Sequence, residues 1–134
     1  EAYWVMQQAV SMLVKQVPEQ VRAADLMTRS EMVTCCSPTD TMEEALALMN
    51  RSRRRAVPVL DDDGTLLGFI KYRDPIKAVG AGKGHQQVKA WMRRELLTVE
   101  PDTPFANMEA LLLAGDTGRL HVVDDDNRLV GLVS

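Results

Sequence analysis

Ten residues of this chain return 63 positions later. Val59-Leu60-Asp61-Asp62-Asp63-Gly64-Thr65-Leu66-Leu67-Gly68 is matched by Val122-Val123-Asp124-Asp125-Asp126-Asn127-Arg128-Leu129-Val130-Gly131, so Gly68 falls on Gly131 at an offset of 63. The same offset carries Pro38 onto Pro101, Thr39 onto Asp102, and the apolar stripe Ala45, Leu48, Met49 onto Met108, Leu111, Leu112. Upstream, Asp25-Leu26-Met27 resembles Lys89-Ala90-Trp91-Met92, with Met27 on Met92 at an offset of 65, so a two-residue length difference falls between Met27 and Pro38. A fixed internal period is the sequence signature of repeated supersecondary units. A unit of about 45 residues of core sequence sits near the lower limit for burying a core alone, so the two copies are expected to pack on each other as a pseudo-symmetric pair.

Each copy reads as strand, helix, strand, strand. A short strand is expected over 33–35 and again over 97–99, each followed by a proline turn. The first helix begins at Thr41 or just before it, where Asp40 or Thr41 can cap and Glu43 and Glu44 favour the positive end of the dipole. The second runs from about Pro104, where a missing N–H costs nothing, to Gly115. Hairpins are expected over 56–60 with 66–71 and over 120–123 with 129–133, each around an acidic turn. A short helix over 72–79 leads into a flexible connector, Gly80-Ala81-Gly82-Lys83-Gly84-His85-Gln86-Gln87. At the start, Met6, Val10, Leu13 and Val17 share one helical face, and Pro18 ends or kinks that helix. A helix at the very end of a chain that lacks an initiator Met suggests a piece of something longer. The organisation is therefore an N-terminal helix and linker over 1–20, a first repeat over 21–79, the connector over 80–87 and a second repeat over 88–134.

Several functions are set aside by simple tests. Apolar residues make up 46% and charged residues 26% of the 134, which is the composition of a folded domain and not of a disordered tail. The wholly apolar run from Ala110 to Ala114 is far too short to span a bilayer, so no membrane partner is expected. Sixteen Lys and Arg against 19 Asp and Glu give a net charge of −3, which argues against broad phosphate neutralisation on nucleic acid. Cys35 and Cys36 are adjacent and could bridge only through a strained ring, so a reducing compartment, the cytoplasm, is expected. Gly82-Lys83-Gly84 is not a phosphate loop, because Lys77 and Gly84 stand where Gly and Ser or Thr are needed. The acidic turn from Asp61 has Leu66 where a calcium loop needs Gly. No nucleophile–base pattern and no metal-ligand cluster emerges, so no catalytic residue, metal site or required cofactor is expected.

The paired apolar-Thr-x-x-Pro segments, the arginine-rich step into Val57-Pro58-Val59-Leu60-Asp61, and Leu67-Gly68-Phe69-Ile70-Lys71-Tyr72-Arg73-Asp74 resemble tandem cystathionine-β-synthase (CBS) domains. That resemblance implies an α/β fold, two β-α-β-β repeats packed with pseudo-two-fold symmetry, and clefts that take an adenine nucleotide, AMP, ADP or ATP, as a regulatory ligand. A closer resemblance, carried by Gly82-Lys83-Gly84-His85-Gln86-Gln87-Val88-Lys89-Ala90-Trp91-Met92 and Asp116-Thr117-Gly118-Arg119-Leu120-His121-Val122-Val123-Asp124, is to the CBS pair of DHH-type tRNA nucleotidyltransferases and poly(A) polymerases. It implies a non-catalytic module that acts on neighbouring catalytic domains of the same chain, pairs with a second copy, and meets RNA through the parent protein. Trp4 and Trp91 are expected to be packing or interface anchors.

By this resemblance the first slot is lined by Val33, Thr34 and Cys35 on one strand and by Ala56, Val57 and Pro58 on the next. Asp74 would take the ribose, or would simply be the N-terminal carboxylate of the helix containing Pro75. Lys71 stands where the family has Ser or Thr, so the first site is expected to be altered or closed. Ser134 matches the hydroxyl of the second motif. His121 replaces the counterpart of Pro58 and would touch a base, sense pH, or sit half-buried and hydrogen-bonded. Arg51, Arg53, Arg54 and Arg55, with Arg119 at the matching step of the second copy, would clamp polyphosphate or RNA, or form a solvated helix end, and Arg93 and Arg94 carry the same alternatives. The rival readings are a dimerisation spacer with vestigial pockets, an RNA-positioning surface, and the CBS pair of a different host.

Overall fold

The structure, a computed structural model, describes residues 21–114 and 118–134. The N-terminal helix expected over residues 1–17, Trp4, and the helix stop at Gly115 lie outside the described residues. The elements in order are α1 (Ala23–Leu26), β1 (Thr28–Arg29), a 3-10 turn (Ser30–Met32), α2 (Met42–Ser52), β2 (Ala56–Leu60), β3 (Leu66–Lys71), α3 (Arg73–Gly80), a 3-10 turn (Val88–Ala90), β4 (Thr98–Val99), α4 (Phe105–Ala114), β5 (Leu120–Val123) and β6 (Leu129–Val133). One sheet is β2–β3; the other has the order β1-β6-β5-β4.

Local chemistry places these elements where the sequence suggests. Thr41 caps α2: its hydroxyl accepts the Glu44 N–H at 3.1 Å while the Glu44 carboxylate accepts the Thr41 N–H at 3.1 Å, a reciprocal capping box. Asp40 instead closes the proline turn, accepting the Ser37 N–H at 2.9 Å. The helix buries Met42, Ala45 and Met49 and ends at Arg53, which takes the left-handed conformation with φ 55°. The acidic turns are self-contained. Asp61 Oδ1 accepts the N–H groups of Asp63 and Thr65, both at 2.9 Å, and Asp124 Oδ1 accepts those of Asp126 and Arg128 at 2.9 and 3.0 Å. The two turns also pair with each other, the Leu66 N–H donating to Asn127 O at 2.9 Å and the Leu129 N–H to Gly64 O at 3.0 Å.

The repeats do not stack as closed units; they exchange their leading segments. Ala23 and Ala24, at the start of the first repeat, donate to Thr103 O and Pro101 O of the second, both at 2.9 Å. Val88 and Lys89, at the start of the second, donate to Asp40 O and Pro38 O of the first, at 2.8 and 3.0 Å. Accordingly Val88 is buried in the core of the first repeat with Met42, Met49 and Ile70, and Ala23 in the core of the second with Met108, Leu120 and Val122. β1 adds antiparallel to β6 through Thr28↔Leu132, and Arg93 bridges Phe69 of β3 in the equivalent way. Both exchanges obey the offsets of 63 and 65 legible in the sequence, which is the pseudo-two-fold relation expected of the pair.

Two expectations are corrected. No strand forms over 33–35. Only Cys36 bridges in parallel to Val59, its N–H donating to Pro58 O at 3.1 Å, because the 3-10 turn on one side and Pro38 on the other leave room for a single rung. In the second repeat the same register, Val99↔Val122, belongs to β4. The connector is also not loose. Gly84 O and Gln86 O accept the Glu43 and Met42 N–H groups at the start of α2, both at 2.9 Å, and a Cβ on Gly84 would lie 2.5 Å from Glu43 Cγ. These carbonyls satisfy first-turn N–H groups that a helix cannot satisfy itself. Trp91 packs on the first core, its indole N–H donating to Gln86 Oε1 at 2.8 Å.

Candidate functional site: two unequal clefts between the repeats

The exchange leaves two clefts related by the same pseudo-symmetry. The larger, about 990 Å³, lies between β3, the segment leading into β4, the end of α4 and the start of β5. The smaller, about 100 Å³, lies between β6, β1, the segment from Met32 to Thr34, and β2. Six positions of their walls correspond under the repeat offsets. Phe69, Lys71, Arg93, Leu97, Arg119 and His121 line the larger; Leu132, Ser134, Thr28, Thr34, Ala56 and Pro58 stand at the matching positions of the smaller. Three of these six pairs put a cation, Lys71, Arg93 or Arg119, in the larger cleft; Glu95 adds an anion there, and Arg54 and Arg119 line the smaller.

Arg119 ties the two together. Its Nη1 donates to Ala56 O at 3.1 Å, to the backbone of its own counterpart, and its side chain lines both clefts. His121 is only 7% exposed, its ring centroid 6.2 Å from that of Phe69, and its Nδ1 has no hydrogen-bond partner among the described residues. Burial, reinforced by the charge of Arg119 and opposed by a hydrogen bond to the Leu97 backbone, pushes its pKa down to about 4, so the ring is neutral at physiological pH. The ring is thus buried where the sequence suggested a half-buried one.

The predicted site residues divide between the clefts. Val33, Thr34, Ala56, Pro58 and Ser134 line the smaller, with Arg54 beside them. Lys71 and His121 line the larger, and Val57 with Ala56 and Pro58 borders a narrow gap between the two. Lys71 is therefore not brought to Val33 and Thr34, and the cleft it lines is open. Asp74 lines neither cleft. It is 7% exposed and held by Arg93, with Nη2 to Oδ1 at 2.9 Å and Nε to Oδ2 at 3.2 Å, while the Lys71 N–H donates to Oδ2 at 2.9 Å. Burial would raise its carboxyl, but the Arg93 and Lys71 hydrogen bonds outweigh it and hold the carboxyl below the usual range. Cys35 donates its thiol to Val33 O at 3.4 Å and Arg55 accepts the Tyr72 N–H on its carbonyl at 2.7 Å; neither side chain lines a cleft. Burial pushes the Cys35 and Cys36 thiols up to about 11 and about 12, which leaves them unreactive. The residues that sequence reasoning missed are Phe69, Leu97 and Thr28, while Arg93 and Arg94, which it did raise, line the larger cleft. Applying the 65-residue offset to the leading segments would have brought Thr28 into view as the counterpart of Arg93.

The CBS domain model matches the chain twice, over residues 23–81 and 88–134. The chain belongs to the CBS domain family. It is similar to inosine-5'-monophosphate dehydrogenase from Methanocaldococcus jannaschii, 31% identical over 116 residues, which is 87% of this chain and 23% of that protein. It is also similar to the A-adding tRNA nucleotidyltransferase of Geobacter sulfurreducens, 34% identical over 131 residues, which is 95% of this chain and 14% of that protein. The CBS pair thus spans less than a quarter of the length of either relative. Among solved structures, the CBS-pair protein CBSX2 from Arabidopsis thaliana superposes with a TM-score of 0.76 at 25% identity, covering 84% of this chain and 87% of that one. A structure of CBSX2 in complex with AMP gives a TM-score of 0.74 at 26% identity, covering 84% and 89%. Among the described residues no helix is long and apolar enough to cross a membrane.

Proposed function

We propose that this CBS pair is a regulatory module that binds an adenine nucleotide in its larger cleft and thereby biases neighbouring catalytic domains of a longer chain. The observation that carries this reading is the larger cleft itself. Its volume, about 990 Å³, is at the upper end of what small-molecule sites enclose, and it joins an aromatic and apolar wall, Phe69 and Leu97, to the cations Lys71, Arg94 and Arg119. The AMP complex of CBSX2 supports adenine as the base. A ligand that binds only the folded, cleft-open state stabilises it and can shift a coupled equilibrium by its differential affinity. Titration calorimetry with AMP, ADP and ATP tests this reading. Saturable binding is expected, weakened in Leu97→Trp, which narrows the larger cleft, and retained in Thr34→Trp, which fills the smaller. Loss in Thr34→Trp alone would move the site to the smaller cleft, and no heat from any nucleotide would end the proposal.

For the host we propose a tRNA nucleotidyltransferase. The Geobacter relative supports this reading because its similarity extends over 95% of the chain. The similarity to inosine-5'-monophosphate dehydrogenase at comparable identity supports a second host. Assaying the whole parent protein separates them: incorporation of A into tRNA is expected, and NADH formation from inosine monophosphate and NAD would give the second host.

A further inference from the structure

The carboxylate best placed by sequence to read a sugar does not face the larger cleft. Asp74 has about four lone-pair sites. Three are taken, by Arg93 Nη2 on Oδ1 and by Arg93 Nε and the Lys71 N–H on Oδ2, and the residue is 7% exposed. Arg93, whose guanidinium holds that carboxylate, lines the cleft, whereas Asp74 does not. Glu95, the remaining carboxylate of the lining, is solvent-exposed, where a hydroxyl contact gains little over water. In contrast, phosphate recognition is well supplied. Lys71, Arg93 and Arg119 stand where the smaller cleft has Ser134, Thr28 and Ala56, and Arg94 adds a further cation.

We propose that the larger cleft selects its nucleotide by the length of the phosphate chain and is blind to the ribose 2'-hydroxyl, with Arg93 the specificity-determining residue that withholds Asp74 from the sugar. This rests on the nucleotide reading above and goes beyond it by naming the class: a nucleoside di- or triphosphate, ribo or deoxy alike. Each added charge-assisted phosphate contact is worth on the order of tenfold in affinity, and an unread hydroxyl is worth about nothing.

The test is calorimetry on the protein with ATP, 2'-deoxy-ATP, ADP and AMP, each without added metal. ATP is expected to bind on the order of tenfold more tightly than AMP, with ADP between, and 2'-deoxy-ATP within about twofold of ATP. Lys71→Gln is expected to compress the gap between ATP and AMP. Arg93→Ala, with its fold confirmed by near-ultraviolet circular dichroism, is expected to free Asp74 and open a several-fold preference for ATP over the deoxy form. Equal affinities for AMP and ATP, or a deoxy form on the order of tenfold weaker in the unmutated protein, would overturn the proposal while leaving nucleotide binding intact. An unchanged ribo-to-deoxy ratio in folded Arg93→Ala would overturn the role given to Arg93. Absence of binding by all four would remove this proposal and the nucleotide reading together.

Discussion

The first and second repeats share a register to the residue and differ in what fills it. Cys36 and Val99, Gly68 and Gly131, and Val88 and Ala23 occupy matched positions and make matched backbone contacts. Yet Lys71 corresponds to Ser134, His121 to Pro58 and Arg119 to Ala56, and the clefts they line differ about tenfold in volume. Backbone hydrogen bonding fixes the architecture and tolerates almost any side chain at the cleft walls. A duplicated fold can therefore keep its symmetry in the core and abandon it at the ligand.

The sharpest way to break the shared part is at the two glycines. A Cβ on Gly68 would lie 2.4 Å from Arg93 O, a backbone atom, whereas one on Gly131 would lie 2.4 Å from the Met27 Sδ and 2.8 Å from Thr28 O. Gly68→Ala should destabilise by about 3 kcal/mol in urea unfolding, and Gly131→Ala by less, because the thioether of Met27 can move part of the way. Equal losses would mean that the leading segments are not held as described.

Next in size is the histidine that only the second repeat carries. Its folded pKa, about 4, lies below the unfolded value of 6.5, so the unfolded chain takes up the proton first. The resulting stability is fully present above pH 6.5, is lost as pH falls from there toward 4, and amounts to ~3 kcal/mol. His121→Phe should flatten that part of the stability profile; an unchanged profile would show that the ring is not buried neutral.

The exchanged core residues come third. Val88→Ala should cost about 2 kcal/mol and Ala23→Gly about 1 kcal/mol, since Val88 leaves the larger cavity in the opposite repeat. Smallest is the pair of helix starts: Thr41→Ala should lose about 1 kcal/mol with its capping box, whereas Pro104→Ala, which has no side-chain cap to lose, should stay within about 0.5 kcal/mol.

Sequence periodicity made the repeats, both hairpins and the three longer helices legible, because each rests on local chemistry: Asx turns at Asp61 and Asp124, a capping box at Thr41, apolar spacing through Met49. The exchange of leading segments was not legible. An offset relates two segments without saying which repeat each one packs on. The division of the site followed from the same gap: Lys71 and Val33 look like neighbours within one repeat, but Lys71, at the end of β3, lines the larger cleft with Arg93 and Arg119, whereas Val33 lines the smaller. The Asp74–Arg93 pair, 19 residues apart and in different repeats, has no local signal at all.

The most direct test of the central claim is a heteronuclear NMR titration of this 14.9 kDa chain with ATP. The account predicts the largest amide shifts at Phe69, Lys71, Arg94, Leu97 and His121 on the walls of the larger cleft. Shifts concentrated instead at Thr28, Val33, Thr34, Leu132 and Ser134 would place the ligand in the smaller cleft and contradict it.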